Sequence, residues 1–165
     1  MELNSNTETL PTETLPAIAA RVRRAAARLC LLHGWAPVHE MPLPNHRRAD
    51  ILAITPDGRL LCIEVKSGVR DFLTDQKWPE YMDYADALYF AVDSTFPRAL
   101  LPEQAGWIVS HGMEAEIVRD APVQALPPAR RRAMTLRMAT VAATRLAVLD
   151  DPAGALAVRA ALLVE

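Results

Sequence analysis

The sequence predicts an α/β domain in which helices flank a mixed β-sheet. A helical repeat of apolar residues comes first. Three extended segments follow, two of them joined by Pro56-Asp57-Gly58. An apolar strand, Leu88-Tyr89-Phe90-Ala91-Val92, then leads to a closing hairpin and trailing Ala- and Arg-rich helices. With 165 residues the chain has room for one domain and a sizeable core.

Residues Met1 to Pro16, rich in Thr, Glu, Asn and Pro, offer little to bury and read as a mobile tail. From Ala17 to His33, Ile18, Val22, Ala25, Ala26, Leu29 and Leu32 recur at helical spacing, and Gly34 supplies the stop. Arg21, Arg23, Arg24 and Arg28 on this helix read as a solvated face, with phosphate contact as the alternative. Extended segments are expected from Trp35 to Met41, Arg48 to Thr55 and Arg59 to Lys66. Pro first and Gly last in the Pro56–Gly58 loop suit a three-residue hairpin whose glycine takes the left-handed conformation. A short helix should run from Pro79 to about Ala85 and a buried strand from Asp86 to Val92. Gly106–Ser110 and Ala115–Arg119 should form a hairpin. One helix is then expected from Pro127-Pro128 to Leu149 and a last one from Ala153 to Leu163. The expected division is tail 1–16, α/β domain 17–120 and a C-terminal helical extension 121–165 packing on the core.

Composition narrows the function. A net charge of −2 excludes holding nucleic acid by bulk charge, so any such binding needs a local patch. No apolar run approaches the roughly 18 residues of a membrane helix, and the polar start is unlike a signal peptide. Cys30 and Cys62 have no metal-ligand spacing and read as buried thiols, so a cytoplasmic protein without membrane contact is expected.

The pattern that carries chemistry lies on the hairpin. Two acid-x-Lys triples occur, Glu64-Val65-Lys66 and Asp75-Gln76-Lys77, and only the first ends an apolar strand. Alternation places Leu60, Cys62, Glu64 and Lys66 on one face, where two charges are costly unless used. With a three-residue loop, Ile54 faces Leu60, Leu52 faces Cys62, and Asp50 falls opposite Glu64 with Cβ atoms about 5 Å apart. Two carboxylates so placed form a hard-oxygen site suited to Mg²⁺ or Mn²⁺, and Lys66 could orient water or balance phosphate charge. The alternative is a surface network in which Arg47, Arg48 and Lys66 neutralise both acids.

Asp50 followed by Glu64-Val65-Lys66 resembles the bipartite signature of the PD-(D/E)xK nuclease superfamily. The wider run is more specific. It comprises Arg47-Arg48-Ala49-Asp50-Ile51-Leu52, Ile63-Glu64-Val65-Lys66-Ser67-Gly68, Asp71-Phe72, Asp75, Lys77-Trp78, Tyr81 and Tyr89-Phe90-Ala91-Val92. It resembles the MmcB-like family of bacterial DNA repair proteins from about Arg21 to Val118. The resemblance implies a restriction-endonuclease-like αβββαβ core and a metal-dependent nuclease of DNA repair. Asp50 and Glu64 would then be ligands to Mg²⁺ or Mn²⁺, and Lys66 the catalytic lysine. It also implies a further carboxylate from the first helix or strand, for which Glu40 is the candidate, and a helix glutamine, for which Gln76 is. Ala49 stands where the superfamily name has proline. DNA, branched or damaged, is the implied partner, and the alternative is a silent module of the same fold that binds DNA or repair proteins.

The polar–aromatic segment after the lysine strand either walls a DNA cleft, with Trp78 or Tyr81 stacking on a base, or packs beneath a turn capped by Asp71. Packing is the favoured reading for the aromatics. The DNA-binding set expected from the sequence is Arg47, Arg48, Lys77 and Trp78, with Lys77 also supporting the site. The four histidines share no metal spacing. Arg130-Arg131-Arg132 opens a helix against its dipole and reads as a solvated face, with phosphate or partner contact as the alternative. Met134, Met138, Val141, Leu146 and Leu149 form an apolar stripe, read as core or as the surface of a homodimer or repair-protein contact.

Overall fold

The computed structural model describes residues 13–162. Its sheet has six strands in the order β1-β2-β3-β4-β5-β6: Ala36–Pro42, Arg48–Ile54, Leu60–Lys66, Ala87–Asp93, Gly106–His111 and Glu114–Arg119. β3, β4 and β5 run parallel, and the outer pairings are antiparallel. β3 is buried along its whole length, as a central parallel strand covered on both faces must be. One face is covered by α1, Leu15–Leu32. The other is covered by α2, Val69–Thr74, a 3₁₀ turn, Trp78–Tyr81, and the first half of α3, Pro128–Asp150. α4, Pro152–Leu162, follows. Among the described residues no helix is long and apolar enough to cross a membrane.

The expected hairpin is present in the expected register: Ile54 pairs with Leu60 and Leu52 with Cys62, and Gly58 sits at φ +81°. Its loop closes with Gly58 N–H to the Thr55 carbonyl and Thr55 N–H to that of Arg59, both 2.9 Å. Three elements differ from expectation. α1 begins at Leu15, because Thr14 caps it by accepting from Ala17 N–H and Pro16 is tolerated in a first turn. Of the expected mobile tail, residues 1–12 lie outside the described residues. Asp71 reaches back to the N–H and hydroxyl of Ser67, so helix forms at Val69–Thr74. The helix expected from Pro79 to Ala85 is only the 3₁₀ turn ending at Tyr81.

The Arg130–Arg132 triplet is not simply a solvated face. The Arg131 guanidinium grips both oxygens of Asp86 at 2.6 and 2.7 Å and bonds the Gly58 carbonyl. Asp86, 1% exposed, also accepts from Leu60 and Leu126 N–H, both at 2.8 Å. This node pins α3 to the hairpin base and to the start of β4. Farther along, Arg137 bonds the Pro42 carbonyl and Arg145 those of His39 and Glu40. Edge strand β1 is thus covered by a helix, which blunts its tendency to pair with other chains. Of the apolar stripe, Met134 and Met138 are core and Val141 half-buried, whereas Leu146 and Leu149 are exposed.

Candidate active site

Asp50 sits where the regular sheet is interrupted. In the β1–β2 ladder His39 pairs with Ile51 and Met41 with Ala49, but the intervening Glu40 and Asp50 are unpaired. Glu40 has φ +47°, which is uncommon for a residue other than glycine. Val38 and Met41, three residues apart, pack in one core cluster, and so do Ala49 and Leu52; strict alternation forbids both. The left-handed Glu40 and the unpaired Asp50 across from it reset the phase of the two strands. The β2–β3 ladder likewise stops at Ile51–Ile63. Beyond it, side chains replace the backbone partners: Asp50 N–H donates to Glu64 Oε1 at 3.2 Å, and Val65 N–H donates to Asp50 Oδ2 at 2.7 Å.

The two carboxylates therefore turn into the gap between diverging strands at the C-terminal end of parallel strand β3. Glu64 is 3% exposed. Its Oε1 also takes the Cys62 thiol at 3.8 Å, while Glu64 Oε2 and Asp50 Oδ1 make no hydrogen bond among the described residues. Burial, and then the nearby Asp50 charge, push the Glu64 carboxyl up to about 8. Burial raises Asp50 too, against the Val65 N–H and the Lys66 charge. Such a pair holds a proton near neutrality unless a cation takes its place.

Lys66, the last residue of β3 and 5% exposed, ion-pairs with Asp75 through Nζ–Oδ2 at 2.5 Å. Burial opposes ionisation of Asp75, but the bonds from Lys66 and Lys77 N–H and the Lys66 charge outweigh it and hold the carboxyl below its usual range. Tyr81 is buried nearby, and its hydroxyl is pushed up by burial and by Glu64, Asp75, Cys62 and Asp50. On the other side of Asp50, Glu40 bonds Arg23 at 2.7 Å and Arg48 at 2.5 Å. A shallow cavity of about 270 Å³, lined by Pro16, Ala19, Ala20, Arg23, Asp50 and Val65, opens there against α1.

The structure thus brings Asp50, Glu64 and Lys66 together and puts Glu40 close enough for its charge to act on Asp50. Other expected site residues are placed differently. Gln76 lies beyond α2, exposed, with its amide donating to the Leu73 carbonyl, so it occupies no helix position facing the acids. Trp78 is half-buried and packs edge-on against Phe90 at 5.8 Å, so it is part of the core rather than a free stacking platform. Arg47 is clamped by both oxygens of Glu80, and Arg48 is held by Glu40. Lys77 is exposed. Asp75 and Arg23 were missed as site residues. Asp75 was visible as the acid of the second acid-x-Lys triple, but its partner is Lys66, not Lys77.

Among the described residues no cluster of three or more His, Cys, Asp or Glu is arranged to hold a metal ion. Asp50 and Glu64 remain as a pair. That number suits Mg²⁺, which often takes one or two carboxylates and fills its shell with water and substrate oxygens.

A mixed sheet flanked by helices, with a buried glutamate and lysine at the end of parallel strand β3 and a half-buried aspartate beside them on β2, defines an α/β protein with a built polar site. The chain belongs to the MmcB-like DNA repair family: the family model described as "DNA repair protein MmcB-like" matches residues 6–153. Among solved structures, the SPO1766 protein of unknown function from Silicibacter pomeroyi is 40% identical. That match covers 83% of this chain and 94% of that one, with a TM-score of 0.78. None of the curated proteins matches.

Proposed function

We propose that this DNA repair protein is a divalent-metal-dependent nuclease of the PD-(D/E)xK type, with a restriction-endonuclease-like core, hydrolysing phosphodiester bonds of DNA. The reading is carried by the charge balance of the site. Three carboxylates, Asp50, Glu64 and Asp75, surround one ammonium, that of Lys66, which leaves two negative charges when all are ionised. One divalent cation neutralises them. Asp50 and Glu64 would hold Mg²⁺ or Mn²⁺ through the oxygens their backbone donors leave free, and Glu40 stays outside with Arg23 and Arg48. When bound, the ion supplies Lewis acidity for the attacking water and the phosphate.

The chain's own groups supply the rest. Lys66 places its Nζ beside the acids, where it can orient water or balance charge developing on a phosphate oxygen. The interrupted β2–β3 ladder leaves Asp50 and Glu64 without backbone pairing to each other, although Glu64 stays in register with Phe90 of β4, and backbone N–H groups fix one oxygen of each carboxylate. That preorganisation lowers the cost of placing an ion there.

One observation favours a second reading, a silent module that binds DNA or repair partners. Lys66 is already satisfied by Asp75, and Arg47 and Arg48 are engaged with acids. The two readings separate on linear, nicked, flapped and branched DNA with Mg²⁺, Mn²⁺ or chelator. A nuclease cuts at least one substrate in a metal-dependent way, and Lys66→Ala abolishes cutting while metal binding persists. Binding without cutting by pure wild type establishes the module instead.

A further inference from the structure

We propose that Asp75 is the positioning residue for Lys66, holding the lysine ammonium beside the Asp50–Glu64 pair after a divalent cation has taken the charge of those two carboxylates. The inference rests on the nuclease reading and adds to it a residue from outside the hairpin.

Among the described residues, Asp75 is the hydrogen-bond acceptor of Lys66 Nζ; Asp50 and Glu64 act on it by charge alone. Each of those two has given an oxygen to the backbone. A cation on them repels the neighbouring ammonium, and a lysine whose side chain is only 6% exposed cannot compensate by hydration. Asp75 then provides the remaining counter-charge. Without it, Lys66 is driven off, which removes positive charge from the place where phosphate charge develops.

Asp75 is suited to this because it is itself held. Its Oδ1 accepts from Lys77 N–H at 3.1 Å and its own N–H donates to the Phe72 carbonyl at 3.3 Å. Phe72 packs edge-on against Phe90 and Phe96, and Trp78 against Phe90. The Glu80–Arg47 pair ties the following turn to the entry of β2. The aromatics after the lysine strand thus anchor the acid that serves the lysine.

Asp75→Asn keeps the size and the acceptor for Lys77 N–H and removes the charge. It should lower kcat by about 10-fold or more, the range found when a partner of a metal-site residue is removed, with KM and Mn²⁺ affinity within about twofold of wild type. Asp75→Glu should recover part of the loss. Independently of turnover, ¹⁵N-lysine spectra of the Mg²⁺-loaded protein should show a slowly exchanging Lys66 ammonium in wild type and Asp75→Glu that is lost in Asp75→Asn. If wild type cuts DNA while Asp75→Asn keeps its kcat or its ammonium signal, the role of Asp75 is overturned alone. If wild type cuts nothing, the nuclease reading falls and takes the role of Asp75 in turnover with it.

Discussion

Replacing Glu64 by Gln should stabilise the metal-free protein, and more strongly the higher the pH. The substitution keeps the acceptor for Asp50 N–H and removes the charge that burial disfavours. Glu64 ionises at about 8 when folded against an ordinary 4.5. Because the folded value is the higher one, the penalty is absent below pH 4.5, grows as pH rises and is complete above about 8. At about 1.4 kcal/mol per tenfold change in proton affinity, wild type should lose on the order of 3 kcal/mol relative to Glu64→Gln between about pH 5 and pH 8. For a chain of this length that is a widening in Tm of roughly 6–12 °C. Thermal scans of both proteins in chelator at the two pH values measure it, and saturating Mn²⁺ should restore wild type selectively by mass action. A Tm difference that does not change with pH would refute the reasoning, because it would mean that Glu64 carries no buried charge to relieve.

Three other outcomes follow from the geometry. Arg131→Ala strands the Asp86 carboxylate in the core and should cost about 3–5 kcal/mol in denaturant unfolding; a loss under about 1 kcal/mol would make the triplet the solvated face its sequence suggests. Trp78→Ala should lower stability by about 3–5 kcal/mol through lost packing, leaving DNA binding by the folded fraction nearly intact. A stable variant that loses DNA binding would return Trp78 to the DNA surface. DNA affinity should fall with salt with a shallow log–log slope, on the order of three or four phosphate contacts at about 0.9 each for duplex. Lys77→Glu should flatten that slope, and fluorescence anisotropy across a salt series reads it.

The hairpin, its register and the proximity of Asp50 to Glu64 were legible because they depend on local rules: alternation, a left-handed glycine and the count of loop residues. α1 was legible from periodicity and α3 and α4 from their proline starts, though Thr14 hid the start of α1 in a stretch that looks like a polar tail and α2 was not foreseen. What could not be read was long-range or irregular. Nothing in the type of residue 40 announces a left-handed glutamate, yet that residue breaks the ladder at Asp50. Asp75 lies in a segment without periodicity, so its reach back to Lys66 has no sequence signature. Arg131 meets Asp86 across 45 positions, and three adjacent arginines say surface until that partner is known. Gln76 matched a motif by type but falls past the end of its helix.

The central claim is that Asp50 and Glu64 share a divalent cation, and calorimetric titration of Mn²⁺ tests it most directly. Wild type should bind one ion per chain, Asp50→Ala none, and Lys66→Ala one, as in wild type. Absence of Mn²⁺ binding to wild type, with and without DNA, or equal binding by Asp50→Ala, would contradict the account.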